Sequence, residues 1–415
     1  MRRPLGPGLL LAATSVGGSH LLLGPELGAR FGLDLLWIVV LAHLLKYPAF
    51  EAGPLYAAAT GESLLDGYLK VPGPRGWPLW IGLIDMVVES VGVLAAVIGL
   101  TASFLHGAFR FGGLPCWGAG VALAALALVW TGGYRRLAKV NLGIMAALVI
   151  GTLLAFATAL PEPGAVARGL VPGAIPAGGV VLVASVLGWM PTGVGVSIWH
   201  SLWMQRSLED RDVVRDGGTV RWARIDTARG YGLSLVLAIV FVCLGSVVLR
   251  PAGIVLEAEV DVALALASLY EQARPWMGSV FLVVAFSAMF STCYAAMDGF
   301  PRTLVATFDL LRGAPRCRQP QSRKIYRLYL VCATLGGMAV LAAIPDPVRL
   351  IRVLGAVTLL VTPIYAALNH YCVVRLVPGE LPGPGRAWRV LSLCGIAFLA
   401  FSAVSLAWIV LVGGA

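Results

Sequence analysis

Apolar residues run along this chain in long blocks, and the polar residues gather between them. The blocks cover roughly 6–28, 32–60, 78–105, 114–132, 136–160, 178–205, 229–250, 276–306, 325–345, 348–374 and 388–412. A helix needs about 20 mostly apolar residues to cross the hydrocarbon of a bilayer, so each block predicts one spanning helix. The expected fold is therefore an all-α polytopic membrane protein of about eleven spans. No soluble domain fits between the blocks; the longest basic insert, 206–228, mixes charge signs and reads as a solvated loop with one short surface helix.

Two blocks are interrupted where they should be most helical. The first carries Gly17-Gly18-Ser19-His20, and the sixth carries Gly188-Trp189-Met190-Pro191-Thr192-Gly193-Val194-Gly195. Glycine costs a helix about 1 kcal/mol against alanine, and proline removes a hydrogen bond and clashes with the preceding turn. Broken backbone inside a membrane is tolerated only where it faces protein or a water-filled cavity. Breaks in the first helix of each five-helix half are the pattern of an inverted-repeat transporter. The chain is expected to form a single transmembrane domain over 1–415, with one repeat at about 6–160, a second at about 178–374, and an added helix at 388–412.

Composition sharpens this picture. Of 415 residues, 59% are apolar and 13% charged, against about half and a quarter in soluble domains. The net charge of +10 is sorted rather than spread. Most basic residues lie in alternate connections, among them Arg2, Arg3, Lys70, Arg75, Arg135, Arg136, Lys139, Arg206, Arg224, Arg323 and Lys324. The intervening connections hold few, and 251–275 is acidic through Glu257, Glu259, Asp261 and Glu271. By the positive-inside rule the N-terminus is cytoplasmic and the C-terminus outside, in a bacterial-type plasma membrane. The positive charge then faces lipid headgroups, and no nucleic-acid partner or obligatory protein partner is expected. Met1-Arg2-Arg3 precedes an apolar run, but no cleavage site is evident. The seven cysteines are scattered singly and suggest neither a zinc site nor a disulfide framework. There is no Walker loop, nucleophile elbow or HExxH motif, so an ATP-driven pump or hydrolase has no support and no cofactor is implied.

Candidate chemistry follows from polar groups inside spans. His20 stands in the first break, as a metal ligand, a proton carrier or a cap of the half-helix. Met190 offers a soft thioether, or simple packing; Ser19 and Thr192 offer neutral oxygens at the same depth. Asp85 and Glu89 share a face of the third span at i,i+4 spacing. Two carboxylates there are costly unless one is protonated or meets water. Lys46 and Glu51 flank Tyr47-Pro48 and read as an internal ion pair. Asp298 and Arg302 read as an i,i+4 pair, and Arg349 and Arg352 as side chains snorkelling to the outer interface.

Several motifs in register resemble the Nramp metal-transporter family. Gly6-Pro7-Gly8 followed by eight residues and a break is similar to that family's first helix, where GPG precedes Asp-Pro-Gly-Asn. TGESLLDGY at 60–68, GGYRRLAKV at 132–140, GWMPTGVGVSIWHSLWMQ at 188–205 and PIYAALNHY at 363–371 resemble its later motifs. The resemblance implies a LeuT-type fold and proton-coupled import of divalent transition metals. It places the family's metal-binding Asp on Gly17, its Asn on His20, its Met on Met190 and its following His on Thr192. It also gives Glu89, three residues before Gly92, a place on the proton route. His200-Ser201 stands three residues further from Met190-Pro191 than in the family. LeuT-type sodium symporters hold sodium with helix-eight hydroxyls and helix-one carbonyls, and Ser291 and Thr292 resemble those hydroxyls.

The expected function is secondary active transport between the two breaks. Gly17, Ser19, His20, Met190 and Thr192 would bind substrate, with His20, Met190 and Thr192 as metal ligands. Asp85, Glu89, Ser291 and Thr292 would couple protons or another ion. The alternative is a sodium- or proton-coupled symporter of a small organic solute such as an amino acid, because glycine at 17 leaves room and half-helix N-termini can hold a carboxylate.

Overall fold

The computed structural model describes residues 16–131, 134–209, 215–256, 261–313 and 320–413. Gly6-Pro7-Gly8, the first part of span one, Arg211, Glu257, Glu259 and Cys317 lie outside the described residues, as do the side chains of 134–142. Every regular element among the described residues is helical. The chain begins with a wide turn, Ser19–Leu23, that leads into α1 (Gly24–Phe31). Then follow α2 (Leu36–Thr60), α3 (Leu64–Leu69), α4 (Trp77–Phe109), α5 (Leu114–Thr131), α6 (Tyr134–Thr158) and α7 (Pro163–Gly169). The second half holds α8 (Val180–Trp189), α9 (Val196–Glu209), α10 (Gly217–Leu244), α11 (Val262–Glu271), α12 (Pro275–Leu311), α13 (Pro320–Ala343), α14 (Pro347–Tyr371) and α15 (Arg386–Gly413).

Among the described residues, seven helices are long and apolar enough to cross a membrane on their own. The other four expected spans are helical where predicted but differ for local reasons. Span one is described only from its break onward. α2 carries His43, Lys46, Glu51 and two prolines, and it faces protein rather than lipid, with all three polar side chains buried. α6 ends in a bend of 117° into α7. Span six is divided into α8 and α9, each too short to cross alone. The outward faces of the bundle are apolar: Ile84, Leu123, Ile150, Val283, Leu335, Phe401 and Leu411 are all exposed. A surface of this kind suits lipid.

Three connections hold structure beyond what apolar runs show. The 206–228 segment already contains the start of α10, capped by Asp216, whose carboxylate accepts from the Thr219 N–H. The 251–275 segment contains α11, capped in the same way by Asp261. α3 opens on a capping box between Ser63 and Asp66, which satisfies backbone donors at both positions. Its first N–H, from Leu64, donates to Ser201 Oγ at 3.0 Å and so fixes α3 against α9.

The broken helices sit in the core because small residues let backbones approach. A Cβ on Gly188 would lie 1.9 Å from the Gly355 carbonyl oxygen, so α8 and α14 touch backbone to backbone. A Cβ on Gly28 would lie 2.1 Å from the Val242 carbonyl, and α1 meets α10 in the same manner. Helices packed in lipid gain mainly from such close van der Waals contact.

Candidate functional site

The two breaks meet. Val16 and Gly17 form a bend, and the Gly17 carbonyl takes the N–H groups of His20 (3.1 Å) and Leu21 (2.9 Å). Residues 190–195 separate α8 from α9 and are not helical. Ser19 Oγ donates to the Pro191 carbonyl at 3.0 Å, a direct tie from one break to the other. The sixth span is interrupted as expected and lies against the bend at Val16–Gly17; the half of span one before that bend lies outside the described residues.

A cavity of about 100 Å³ opens beside this junction. One side is the breaks themselves: Gly17, Gly18, Ser19, Thr192 and Gly193. The facing side is α4, which presents Asp85 and Glu89 one turn apart. Thr292 on α12 lies against the first break; a Cβ on Gly17 would come within 3.0 Å of its Oγ1. Trp189, Trp199, Val93, Val97 and Phe300 make the remaining wall apolar.

The two carboxylates are held by α14. Tyr365 donates its hydroxyl to Asp85 Oδ2 at 2.6 Å, and Thr358 donates to Glu89 Oε1 at 2.6 Å. Trp189 in turn donates its indole N–H to Thr358 Oγ1 at 3.0 Å. A chain of donors therefore links the end of α8 to Glu89. Each carboxylate keeps a second oxygen for a further donor or a cation.

Not every residue expected at the site lines it. Gly17, Ser19, Thr192, Asp85, Glu89 and Thr292 do; His20, Met190 and Ser291 do not. The His20 ring turns away toward α10. Its Nδ1 is 3.0 Å from Ser19 Oγ, and its Nε2 is 3.0 Å from both the carbonyl and the hydroxyl oxygen of Ser234. These contacts tie the ring to the middle of α10, and no side-chain cap is made at the start of the Ser19–Leu23 turn. Met190 is fully buried, on the side of Gly24 and α1 rather than of the cavity. The expected ligand trio of His20, Met190 and Thr192 is thus not assembled here. Among the described residues no group of three or more His, Cys, Asp or Glu side chains could hold a metal ion.

Two polar pairings also differ from expectation. Lys46 does not pair with Glu51. Its ammonium donates to the carbonyls of Leu187, Gly188, Met190 and Thr192, at 2.9 to 3.0 Å. Glu51 instead accepts from Arg224 on α10 at 2.9 Å and from Tyr47 at 3.0 Å. Five residues along a helix is about 140° around it, so Lys46 and Glu51 leave α2 in different directions. Arg352 does not snorkel. It pairs with the buried Glu26 of α1, which also accepts from Arg30, and it donates to the Leu256 carbonyl. Arg349 is exposed, and the Asp298–Arg302 pair forms as expected, with Tyr326 donating to the same carboxylate.

Thr358 stands in no motif read from the sequence, and Tyr365 and Asn369 stand in the 363–371 motif without a role. Asn369 donates to the Ala49 carbonyl and to Ser197 Oγ, both at 2.8 Å, and accepts from Tyr68 at 2.6 Å. It joins α2, α3, α9 and α14 just below the break. The available signal was spacing: Thr358, Tyr365 and Asn369 recur at intervals of seven and four on one apolar helix, a single face.

Comparisons with known proteins agree with this architecture. The family model described as natural resistance-associated macrophage protein-like matches residues 8–410. An uncharacterised protein of Pasteurella multocida is 30% identical over 408 residues, covering 95% of this chain and 89% of that one. A divalent metal cation transporter of Chromohalobacter salexigens is 26% identical over 255 residues, 60% of this chain and 57% of its own length. Among solved structures, a manganese transporter of Eremococcus coleocola superposes with a TM-score of 0.70 at 16% identity, covering 98% of this chain and 87% of that one.

Proposed function

Because this chain belongs to the natural resistance-associated macrophage protein-like family, a family of LeuT-type membrane carriers, we propose that it moves a divalent metal cation through the cavity beside its two breaks, coupled to protons or another ion. The observation that carries the reading is the cavity itself, which sets Asp85 and Glu89 opposite the interrupted backbone. A cation leaving water needs oxygen ligands and negative charge, and intramembrane carboxylates facing a cavity mark ion pathways. Asp85 and Glu89 supply the charge that the first break lacks. Gly17, Thr192 and Thr292 add neutral oxygens or room for the hydrated ion. In this conformation His20 and Met190 support the breaks from behind, and Ser291 is buried beside Thr292.

We place the N-terminus in the cytoplasm, on the strength of the basic connections, and we read 6–160 and 178–374 as the two halves that rock against each other. The family match favours a metal cation over the organic-solute alternative. The test is manganese or cadmium uptake into proteoliposomes, with and without an inward proton gradient. Uptake should be saturable, and Glu89→Gln should reduce it about tenfold or more, as loss of one charged ligand or relay group does. Absence of both uptake and calorimetric binding of either metal would remove the assignment.

A further inference from the structure

α8 ends at Trp189, so its last carbonyls have no partner further along the helix. That end also carries the negative pole of the helix dipole, equivalent to roughly half an elementary charge. In a broken membrane helix these carbonyls form a natural cation cage. Here the cage is taken. Lys46 Nζ lies 3.0 Å from the Leu187 oxygen, 2.9 Å from Gly188, 3.0 Å from Met190 and 2.9 Å from Thr192. Its side chain is fully buried, with the Phe50 ring 5.9 Å from the ammonium. Among the described residues no carboxylate pairs with it. An ammonium has three N–H donors and meets four oxygens; every donor is used, and one is shared.

We propose that Lys46 is a specificity-determining residue: a cation tethered on α2 that occupies the carbonyl end of the broken sixth helix and withholds those oxygens from the transported ion. The cargo is thereby confined to the cavity side, where Asp85 and Glu89 stand. The arrangement also explains how a break without a local carboxylate stays closed. The dipole, the orphan carbonyls and the buried ammonium satisfy one another. The inference rests on the proposed cation transport only for what the cargo is; occupation of the cage can be tested without transport.

The test uses the full-length protein in detergent. Lys46→Met is unbranched and one atom shorter and removes the charge, which frees the carbonyls for an ion from solution. Calorimetric titration with manganese chloride should then show one more bound ion per chain in Lys46→Met than in the parent. A parent that binds none would sink the cargo assignment, while the gained site would still support a role for Lys46. Lys46→Ala adds a second readout. Propylammonium should raise its apparent Tm by roughly 2–5 °C, the scale expected of a saturating ligand in a chain this long. Propan-1-ol, the same size without charge, should not, and neither should move the parent. If Lys46→Ala folds only when the amine is present, the result counts in favour. The proposal is overturned by no added ion in Lys46→Met, or by equal rescue of Lys46→Ala by amine and alcohol. Failure to recover folded Lys46→Ala under either additive does so as well.

Discussion

At the scale of single residues, polar groups in this bundle are worth what their neighbours make them. Glu51 is buried, accepts from Arg224 and Tyr47, and leaves Arg224 partly exposed at the edge of α10. Removing one member of a buried ion pair costs about 3–5 kcal/mol, and the exposure of Arg224 brings that toward the lower figure. Removing a neutral hydrogen-bond partner costs about 1 kcal/mol. Glu51→Ala should therefore lower the apparent Tm in detergent distinctly more than Tyr47→Phe, as read by a thermal melt of both variants beside the parent; equal melting would show that Arg224 finds water instead. The sequence gives the residue types in this network but not their partners. Lys46 and Glu51 look like a pair because they are opposite charges in one apolar run. Their spacing of five already argues against it, yet the true partners of Lys46 are main-chain oxygens about 140 residues away, and no side-chain pattern announces those. His20 was legible as a polar residue in a break, while the direction of its ring depends on Ser234, which only the packing of α10 brings near.

At the scale of elements, the breaks were legible because proline and clustered glycines act locally, through backbone chemistry that one stretch of sequence contains. The short helices α3, α7 and α11 were not, since each is below spanning length; α3 and α11 start on side-chain caps and α7 starts on a proline. The crossing of α8 and α14 shows what the glycines do apart from breaking helices. At Gly188 the space for a side chain is filled by the Gly355 carbonyl, and at Gly355 by the Ser185 backbone at 2.9 to 3.0 Å. Backbone cannot swing aside as a side chain can, so a methyl group there must push the helices apart. Overpacking costs typically 1–3 kcal/mol. Gly120 on α5 has nothing within 4 Å of its would-be Cβ, and alanine in a free helical position is favoured by about 0.5–1 kcal/mol. The expected order of apparent Tm is Gly120→Ala at or above the parent, Gly355→Ala below it and Gly188→Ala lowest. A Gly188→Ala protein that melts with the parent would mean that α8 and α14 are not in backbone contact.

At the scale of the whole molecule, the cavity and the charged triad lie toward opposite ends of the bundle. The cavity reaches from the breaks past Gly82, Trp199, Phe300 and Thr303, toward the ends of α4, α9 and α12 that border the basic connections. None of its lining comes from Glu26, Arg30 or Arg352. Those three close the other end, where buried Glu26 on α1 binds Arg352 on α14, and Arg352 reaches the Leu256 carbonyl beyond. The Arg352 carbonyl also accepts from Ser185 on α8, so one residue gathers α1, α8 and α14 at that end. In the proposed rocking, α1 and α8 part from their neighbours there, and the ion pair breaks if α1 leaves α14. It therefore favours the conformation seen here over one open at the triad. A coupling of ordinary size, about 1–3 kcal/mol, corresponds to a population ratio of roughly 5- to 150-fold. Val97 lines the cavity on the deep side of α4 and can report the bias. In a background with the native cysteines replaced, Val97→Cys should react slowly with a membrane-impermeant maleimide added from the triad side. Adding Glu26→Gln, which keeps the shape and removes the charge, should speed that reaction about fivefold or more. It should also reduce labelling from the opposite side, because the two open states draw on one population. Faster labelling from both sides would mean that the fold has loosened, and unchanged labelling from both would mean that the Glu26–Arg352 pair holds α1 in place without governing which end opens.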